Sequence, residues 1–317
     1  MILLIDGLNL FCTAFSAFPN VSTTGQHMGG TVGFLKMLSK IINETHPTRI
    51  AVAWESGGSR RRRNLDGGYK MTRKPQKLNR FYEDDIPETK ENRDWQLSHL
   101  IRMLRCVPIM QVYVEDCEGD DIIARLAFNF RDEEKIIASS DMDYYQLIDE
   151  KTRVYNIKKK SFVTDAEVYE RFRVHSKNFA VLKAMCGDTS DNVQGVRGLG
   201  YKTFTKLFPI VTTDNECSLN EIKLYSMSHS DDSTLYKRVI DEWNKVELNL
   251  RLVKLDGSML THSQIKKIDD AIELYDGAFN KLEFIKLLVS LGAGVFEADS
   301  FFQSLAGIKG GKWEQLA

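Results

Sequence analysis

Glu118-Gly119-Asp120-Asp121 puts three carboxylates within four residues. An apolar run, Val107-Pro108-Ile109-Met110-Gln111-Val112-Tyr113-Val114, precedes it, and a helical run, Ile122-Ile123-Ala124-Arg125-Leu126-Ala127, follows. The order reads as strand, acidic turn, helix. Asp120 and Asp121 then stand at a helix N-terminus, where free N–H groups and the dipole favour negative charge. Capping accounts for one acid. Three adjacent acids repel one another unless a cation neutralises them, and a hard divalent ion such as Mg²⁺ takes oxygen ligands. From this stretch alone, a metal site and a charged helix start both stay open.

Outward from this turn the same punctuation repeats. Residues 2–5 are apolar and end at Asp6-Gly7-Leu8-Asn9. Asp6 either opens a turn or marks the strand end where open α/β sheets place ligands. Val32, Leu35, Leu38 and Ile42 recur at helical spacing and predict an amphipathic helix over 31–44. Arg49-Ile50-Ala51-Val52-Ala53-Trp54 reads as a strand ending in Glu55, and Lys135-Ile136-Ile137-Ala138-Ser139 as one ending in Ser140-Asp141-Met142-Asp143. A hairpin is expected at Val154–Val163, with Lys158-Lys159-Lys160 at its tip. Strands alternate with helices to about residue 150, which predicts an α/β fold with a mainly parallel sheet covered on both faces. In such a sheet the strand ends share one edge. Asp6, Glu55, Glu118, Asp120, Asp121, Asp141 and Asp143 are therefore expected to converge although they are distant in sequence.

Charge is unevenly spread. The 317 residues carry a formal net charge of −1, yet residues 60–80 hold nine basic side chains against one acid, Asp66. Tyr69 lies among them. A solvated face explains such a block. A polyanion drawn toward a metal site explains it too, and suits its position directly after an acidic strand end. With 43% hydrophobic and 27% charged residues the chain reads as a soluble globular protein. Five scattered cysteines suggest a reducing, intracellular setting. No run approaches the ~18 apolar residues of a membrane span, and the apolar start reads as a buried strand.

A second acidic turn, Gly187-Asp188-Thr189-Ser190-Asp191-Asn192, follows the apolar helix Phe179–Met185. Behind it comes Gly195-Val196-Arg197-Gly198-Leu199-Gly200-Tyr201-Lys202. Gly-x-Gly opening a helix offers N–H groups to an anion. The spacing of a dinucleotide fingerprint is not met, and no phosphate-binding loop of the NTPase type is present. The chain beyond residue 210 is expected to be helical, with a flexible tail after about 303.

Several of these segments resemble the flap endonuclease, or 5′-nuclease, superfamily. Glu118-Gly119-Asp120-Asp121, Ser140-Asp141-Met142-Asp143 with Gln146-Leu147, the Gly187–Lys202 segment and Tyr69-Lys70 with Arg73 match its motifs, over roughly residues 1–210. The region around Glu247–Val253 more loosely resembles phage ribonuclease H proteins. The resemblance implies a PIN-like metal-dependent nuclease core over 1–175 with a helical arch at about 60–95. It also implies a helix-hairpin-helix and C-terminal helical region over 176–317.

It further implies two Mg²⁺ ions, with Mn²⁺ as a substitute. Asp6, Glu55, Glu118 and Asp120 would serve the first ion and Asp141, Asp143 and Asp188 the second, with Asp121 and Asp191 in support. Lys70 and Arg73 would meet the scissile phosphate, and Tyr69 would contact DNA from the arch. Gly198, Gly200 and Lys202 would hold duplex backbone, with K⁺ as a possible companion. Glu55 departs from the family, which usually has Asp there. The implied activity is structure-specific 5′-3′ exonuclease and flap endonuclease cleavage in DNA replication, on DNA with a free 5′ end or flap or on RNA–DNA hybrid. A monomer is expected, with a sliding clamp or single-strand DNA-binding protein as possible partners. A PIN-type endoribonuclease and a non-catalytic DNA-structure binder are the competing readings.

Overall fold

The central strands of the sheet, Ile2–Asp6, Arg49–Trp54 and Lys135–Ala138, are buried on both faces, and this fixes the architecture. The computed structural model describes residues 1–55, 57–71, 90–294, 296–311 and 313. Strands β1 (Ile2–Asp6), β2 (Arg49–Trp54), β3 (Met110–Tyr113), β4 (Lys135–Ala138), β5 (Thr152–Asn156) and β6 (Ser161–Val163) form one sheet in the order β3-β2-β1-β4-β5-β6. All neighbours are parallel except β5 and β6. The α/β reading holds. The strand expected over 107–114 is confined to Met110–Tyr113.

Helices α1 (Gly7–Ala17) and α2 (Gly29–Thr45) follow β1, and the short α3 (Arg60–Leu65) follows β2. Helix α4 (Lys90–Leu104) leads into β3, and α5 (Gly119–Asn129) leaves it. After β6 come α6 (Asp165–Phe172) and α7 (Phe179–Cys186), then a two-stranded antiparallel ribbon, β7 (Gly187–Asp188) with β8 (Val193–Gln194). Helix α8 (Tyr201–Leu207) leaves the ribbon. The remaining helices are α9 (Leu219–Ser228), α10 (Thr234–Asp241), α11 (Trp243–Val253), α12 (His262–Glu273), α13 (Lys281–Ser290) and α14 (Ala298–Ser304).

Strand periodicity sorts the core into two layers. Leu3, Ile5, Ile50 and Val52 face α1, α2 and α4, and the buried Phe284, Leu288, Phe301 and Phe302 of α13 and α14 join that layer. Ile2, Leu4, Ala51, Ala53, Met110 and Val112 face the other way, toward α5, α7 and the helices that follow it. A parallel sheet covered on both faces needs this continuous apolar character. The last two helices thus return to the layer built by the first.

Helix α1 was not anticipated, because Asp6-Gly7-Leu8-Asn9 reads as a turn. Asp6 does end the strand, but its carboxylate accepts the Asn9 N–H at 3.0 Å and caps a helix. The tail expected to be flexible is anchored through residue 313. The Lys309 N–H donates to the Thr48 carbonyl at 2.8 Å, and buried Trp313 packs edge-on against Phe130 with Arg49 above it. Among the described residues no helix is long and apolar enough to cross a membrane.

Candidate active site at the acidic edge of the sheet

Parallel strands all finish at one edge, so the residues just past β1, β2 and β4 become neighbours. Register pairs Asp6 with Ala53 and Ile5 with Ala138, bringing Asp6, Glu55 and Asp141 to that edge. Ser139 and Tyr144 each donate a hydroxyl to Asp6 Oδ2 at 3.1 Å. Burial pushes the Asp6 carboxyl up to about 6. The Asn9 N–H works against this, and the nearby Asp141 charge adds to the rise. Asp141 caps the short turn of helix at Met142–Leu147 by accepting from the Asp143 N–H at 3.0 Å. Burial raises its pKa too, against the pull of Lys183.

Helix α5 begins where the sequence expected, with Glu118 at its N-cap position and Asp120 and Asp121 in its first turn. The three acids do not point alike. Glu118 is 2% exposed, and its Oε2 receives Lys70 Nζ at 2.6 Å, the Tyr69 phenol at 3.1 Å and Arg62 Nη1 at 3.2 Å. Asp121 accepts from both Nη1 and Nη2 of the same guanidinium in a two-pronged pair, at 2.5 and 2.9 Å. Asp120 is more open and accepts the Asp121 N–H at 2.7 Å. Glu55 lies beside Glu118. A side-chain carbon added to Gly58 would sit 3.7 Å from an oxygen of each.

Arg62 is 1% exposed, and its Nε donates to the Leu252 carbonyl on α11 at 2.8 Å. One member of the basic block is therefore a buried counter-ion. Burial alone would lower its pKa, but Asp120 and Asp121 outweigh that and raise it, so the guanidinium stays charged. Its position follows from α3, whose start is capped by Ser59 accepting the Arg62 N–H at 3.2 Å.

The second acidic turn folds as the β7–β8 ribbon and its loop. Asp143, Asp188 and Asp191 offer carboxylate oxygens that all lie within 4.8 Å of one another. This trio differs in one member from the expected second set, with Asp191 in the place of Asp141. Lys183 of α7 is held between Asp143 and Asp188 and pairs with both. Burial works to raise the Asp188 pKa, but Lys183 and the two hydrogen bonds from Ser190 hold it below the usual carboxylate range. Asp191 accepts from the Tyr69 phenol at 3.2 Å, and Lys70 Nζ lies 3.7 Å away. Lys70 and Asp191 thus link the two halves of the site.

Tyr69 lies inside the site. It is 4% exposed, with its phenol on Glu118 and Asp191, so its ring offers no open face for stacking on nucleic acid in this conformation. Burial and the Glu118 charge raise its pKa, which keeps it a donor. Arg73 lies outside the described residues. Gly198 occupies the left-handed region at φ +84°, where the Leu199 N–H closes a turn onto the Val196 carbonyl at 3.0 Å. Glycine suits that position of the turn. Lys202 is exposed in the first turn of α8.

Sequence reading missed Lys183, Arg62, Ser139 and Tyr144. Lys183 had a signal: it is the lone cation in an apolar helix, and a buried lysine needs a paired acid. The donor set is all oxygen and rich in carboxylate. That chemistry suits a hard divalent cation and fits the metal implied by the motifs.

A mainly parallel sheet that gathers acids along one edge has the PIN-like architecture. The chain belongs to the 5′-3′ exonuclease family, whose N-terminal resolvase-like domain matches residues 1–173. It is 29% identical over 206 residues to the 5′-3′ exonuclease of Buchnera aphidicola subsp. Schizaphis graminum, covering 64% of this chain and 67% of that protein. It is 34% identical over 233 residues to DNA polymerase I of Bacillus caldotenax, covering 70% of this chain but only 25% of that protein. In fold it is similar to the phage T5 D15 flap endonuclease solved with DNA and metal ions. The TM-score is 0.67 at 17% identity, over 86% of this chain and 98% of that one.

Proposed function

We propose that this chain is a structure-specific 5′ nuclease that hydrolyses phosphodiester bonds at 5′ ends and flaps, removing RNA primers or 5′ flaps during DNA replication. The observation that carries this reading is the Lys70–Glu118 ion pair at the acidic edge: a cation from the basic segment reaches into the carboxylate cluster. Family membership supports the same reading. Asp6, Glu55, Glu118 and Asp120 would hold one divalent cation and Asp141, Asp143 and Asp188 a second, with Asp121 and Asp191 behind them. Bound Mg²⁺, or Mn²⁺ in its place, would neutralise phosphate charge and acidify a water.

The chain's own groups do the rest. Lys70, with Arg73 beyond it in sequence, supplies positive charge where negative charge builds at the reacting phosphate. Arg62 and Lys183 keep the acids folded together before any cation arrives. Tyr69 orients Glu118 and Asp191 through one hydroxyl. Gly198, Gly200 and Lys202 engage duplex backbone, with K⁺ as a companion ion at that hairpin. Such contacts position DNA without reading base order. We place the protein as a monomer in a reducing cytoplasm, its five cysteines being free thiols. A sliding clamp or a single-strand DNA-binding protein is the fitting partner. Residues 1–175 would be the nuclease core and 176–317 the DNA-gripping region, which also lends Lys183, Asp188 and Asp191 to the site.

The test is cleavage of a 5′-labelled flap duplex in Mg²⁺ by the wild type and by Asp141→Asn. Loss of cutting with binding retained supports the assignment. Equal cutting by both proteins overturns the carboxylate assignment. Cleavage of single-stranded RNA, with the flap left intact, would replace it with an endoribonuclease.

A further inference from the structure

The hairpin tip Lys158-Lys159-Lys160 has no part in the site described above, yet the topology puts it on the same edge. Strand β5 runs parallel to β4, and the Ser139 N–H donates to the Tyr155 carbonyl at 3.1 Å. The turn after β5 therefore projects at the level of Ser140 and Asp141. All three lysines are exposed. Their backbone is set by Asn156, which is 6% exposed. Its side-chain oxygen accepts the N–H groups of Lys158 and Lys159 at 3.1 and 2.9 Å, and its carbonyl accepts that of Lys160 at 2.7 Å. Three like charges are thus held side by side on an ordered turn, which costs stability through repulsion unless an anion meets them.

A row of aromatic contacts joins this turn to the Gly198 hairpin. Strand β5 packs against the short turn of helix at Met142–Leu147, whose Tyr145 ring packs on Phe172 at the end of α6, with centroids 6.5 Å apart. Phe172 packs edge-on against Tyr201, the first residue of α8, at 5.7 Å. Arg171 lies over Phe172 and Arg173 over Tyr169, both with their side chains exposed. Among the described residues no carboxylate forms an ion pair with Lys158, Lys159, Lys160, Arg171 or Arg173. The acids of α6 are engaged elsewhere: Asp165 with His175, and Glu167 with Thr164. Glu170 is the remaining acid of α6 and is exposed.

We infer that Lys158, Lys159 and Lys160, continued by Arg171 and Arg173, form a second phosphate-backbone track that holds the part of the duplex lying past the Gly198 hairpin. This rests on the hairpin being a duplex grip. The ligand is nucleic-acid backbone, taken without regard to sequence. Its contribution is expected to depend on duplex length, because a short arm ends before it reaches the lysine turn.

The experiment compares the wild type with Lys158→Ala/Lys159→Ala/Lys160→Ala on flap substrates whose duplex arms are lengthened one at a time. Binding is followed by fluorescence anisotropy over a salt series. Asn156 is untouched, and a thermal melt verifies the fold. The expected result is unchanged binding and cleavage of short-armed flaps and a several-fold weaker affinity for one long-armed flap. The slope of log K against log salt should fall by ~0.9 for each phosphate that the variant no longer neutralises. Wild-type affinity and slope in the variant for every arm overturn the track and leave the turn to an acidic protein. An equal loss on short and long arms also overturns it, since the lysines would then act at the catalytic edge. Failure of the wild type to cut any flap would overturn the proposed function instead.

Discussion

Lys70 Nζ lies 2.6 Å from Glu118 Oε2, and the two residues are 48 apart in sequence. A cation expected to meet phosphate thus rests on an acid expected to hold metal. Lys70 also sits in the left-handed backbone region, at φ +57°, which is costly for a lysine. The ion pair and the Lys70 N–H bond to the Asp191 carbonyl at 2.9 Å hold it there.

Removing that cation separates its two roles. Lys70→Ala is expected to slow single-turnover flap cleavage by a factor corresponding to about 2–4 kcal/mol, by analogy with other charge-stabilising groups. Calorimetric Mg²⁺ binding without DNA should be as tight or tighter, because Glu118 loses a competitor. Turnover at the wild-type rate would remove Lys70 from the chemistry.

Arg62 is a different kind of cation. Buried and shared by Asp121 and Glu118, it cannot be deleted without stranding acids in the interior. Arg62→Met should cost about 3–5 kcal/mol in urea unfolding. Adding Asp121→Leu to the same protein should recover part of that loss. Stability equal to the wild type in the single variant would show that the acids have another counter-ion.

Lys183 makes a prediction that divalent ions can reverse. Lys183→Ala leaves Asp143 and Asp188 facing each other without their ammonium. In chelator its melting temperature should fall well below that of the wild type. On adding Mg²⁺ the variant should gain more than the wild type does, because the ion takes over the neutralisation. An equal gain in both proteins would detach Lys183 from the cation site.

Asp6 sets a pH dependence. Its folded pKa of about 6 lies above the ordinary 3.8, so the folded protein binds the extra proton in that window. The sign follows: stability from this group is full below about pH 4 and is lost as pH rises through 6. Asp6→Asn keeps an acceptor for Asn9 but turns an amide NH2 toward the Ser139 and Tyr144 hydroxyls, a cost that does not depend on pH. Relative to the wild type, the metal-free variant should therefore gain about 2–3 kcal/mol between pH 4 and pH 7.5. Unfolding titrations at the two pH values decide it, and a stability difference that is the same at both would contradict the burial argument.

The acids were legible because parallel strands must end together, so Asp6, Glu55 and Asp141 could be placed from strand patterns alone. Helix α1 was hidden by Asp6-Gly7, whose composition also suits a turn. The pairings of Arg62 with Asp121 and of Lys183 with Asp143 span 59 and 40 residues, and no local pattern reports which acid a distant cation will meet. Tyr69 stands in a basic block, which says nothing of its burial; that depends on Val193, Leu252 and Val253, which cluster with it from other parts of the chain. The glycines after residue 303 suggested a loose tail, whereas Trp313 supplies the apolar area that fastens it.

The acids that follow β2, β1 and β4 are spaced by the sheet itself. Neighbouring strands lie ~4.8 Å apart whatever their side chains. The backbone therefore acts as a ruler, setting a pitch between carboxylate anchors that loop changes cannot alter. Substitutions in the basic segment or the hairpin can change which substrate approaches, while the gauge that receives it stays the same.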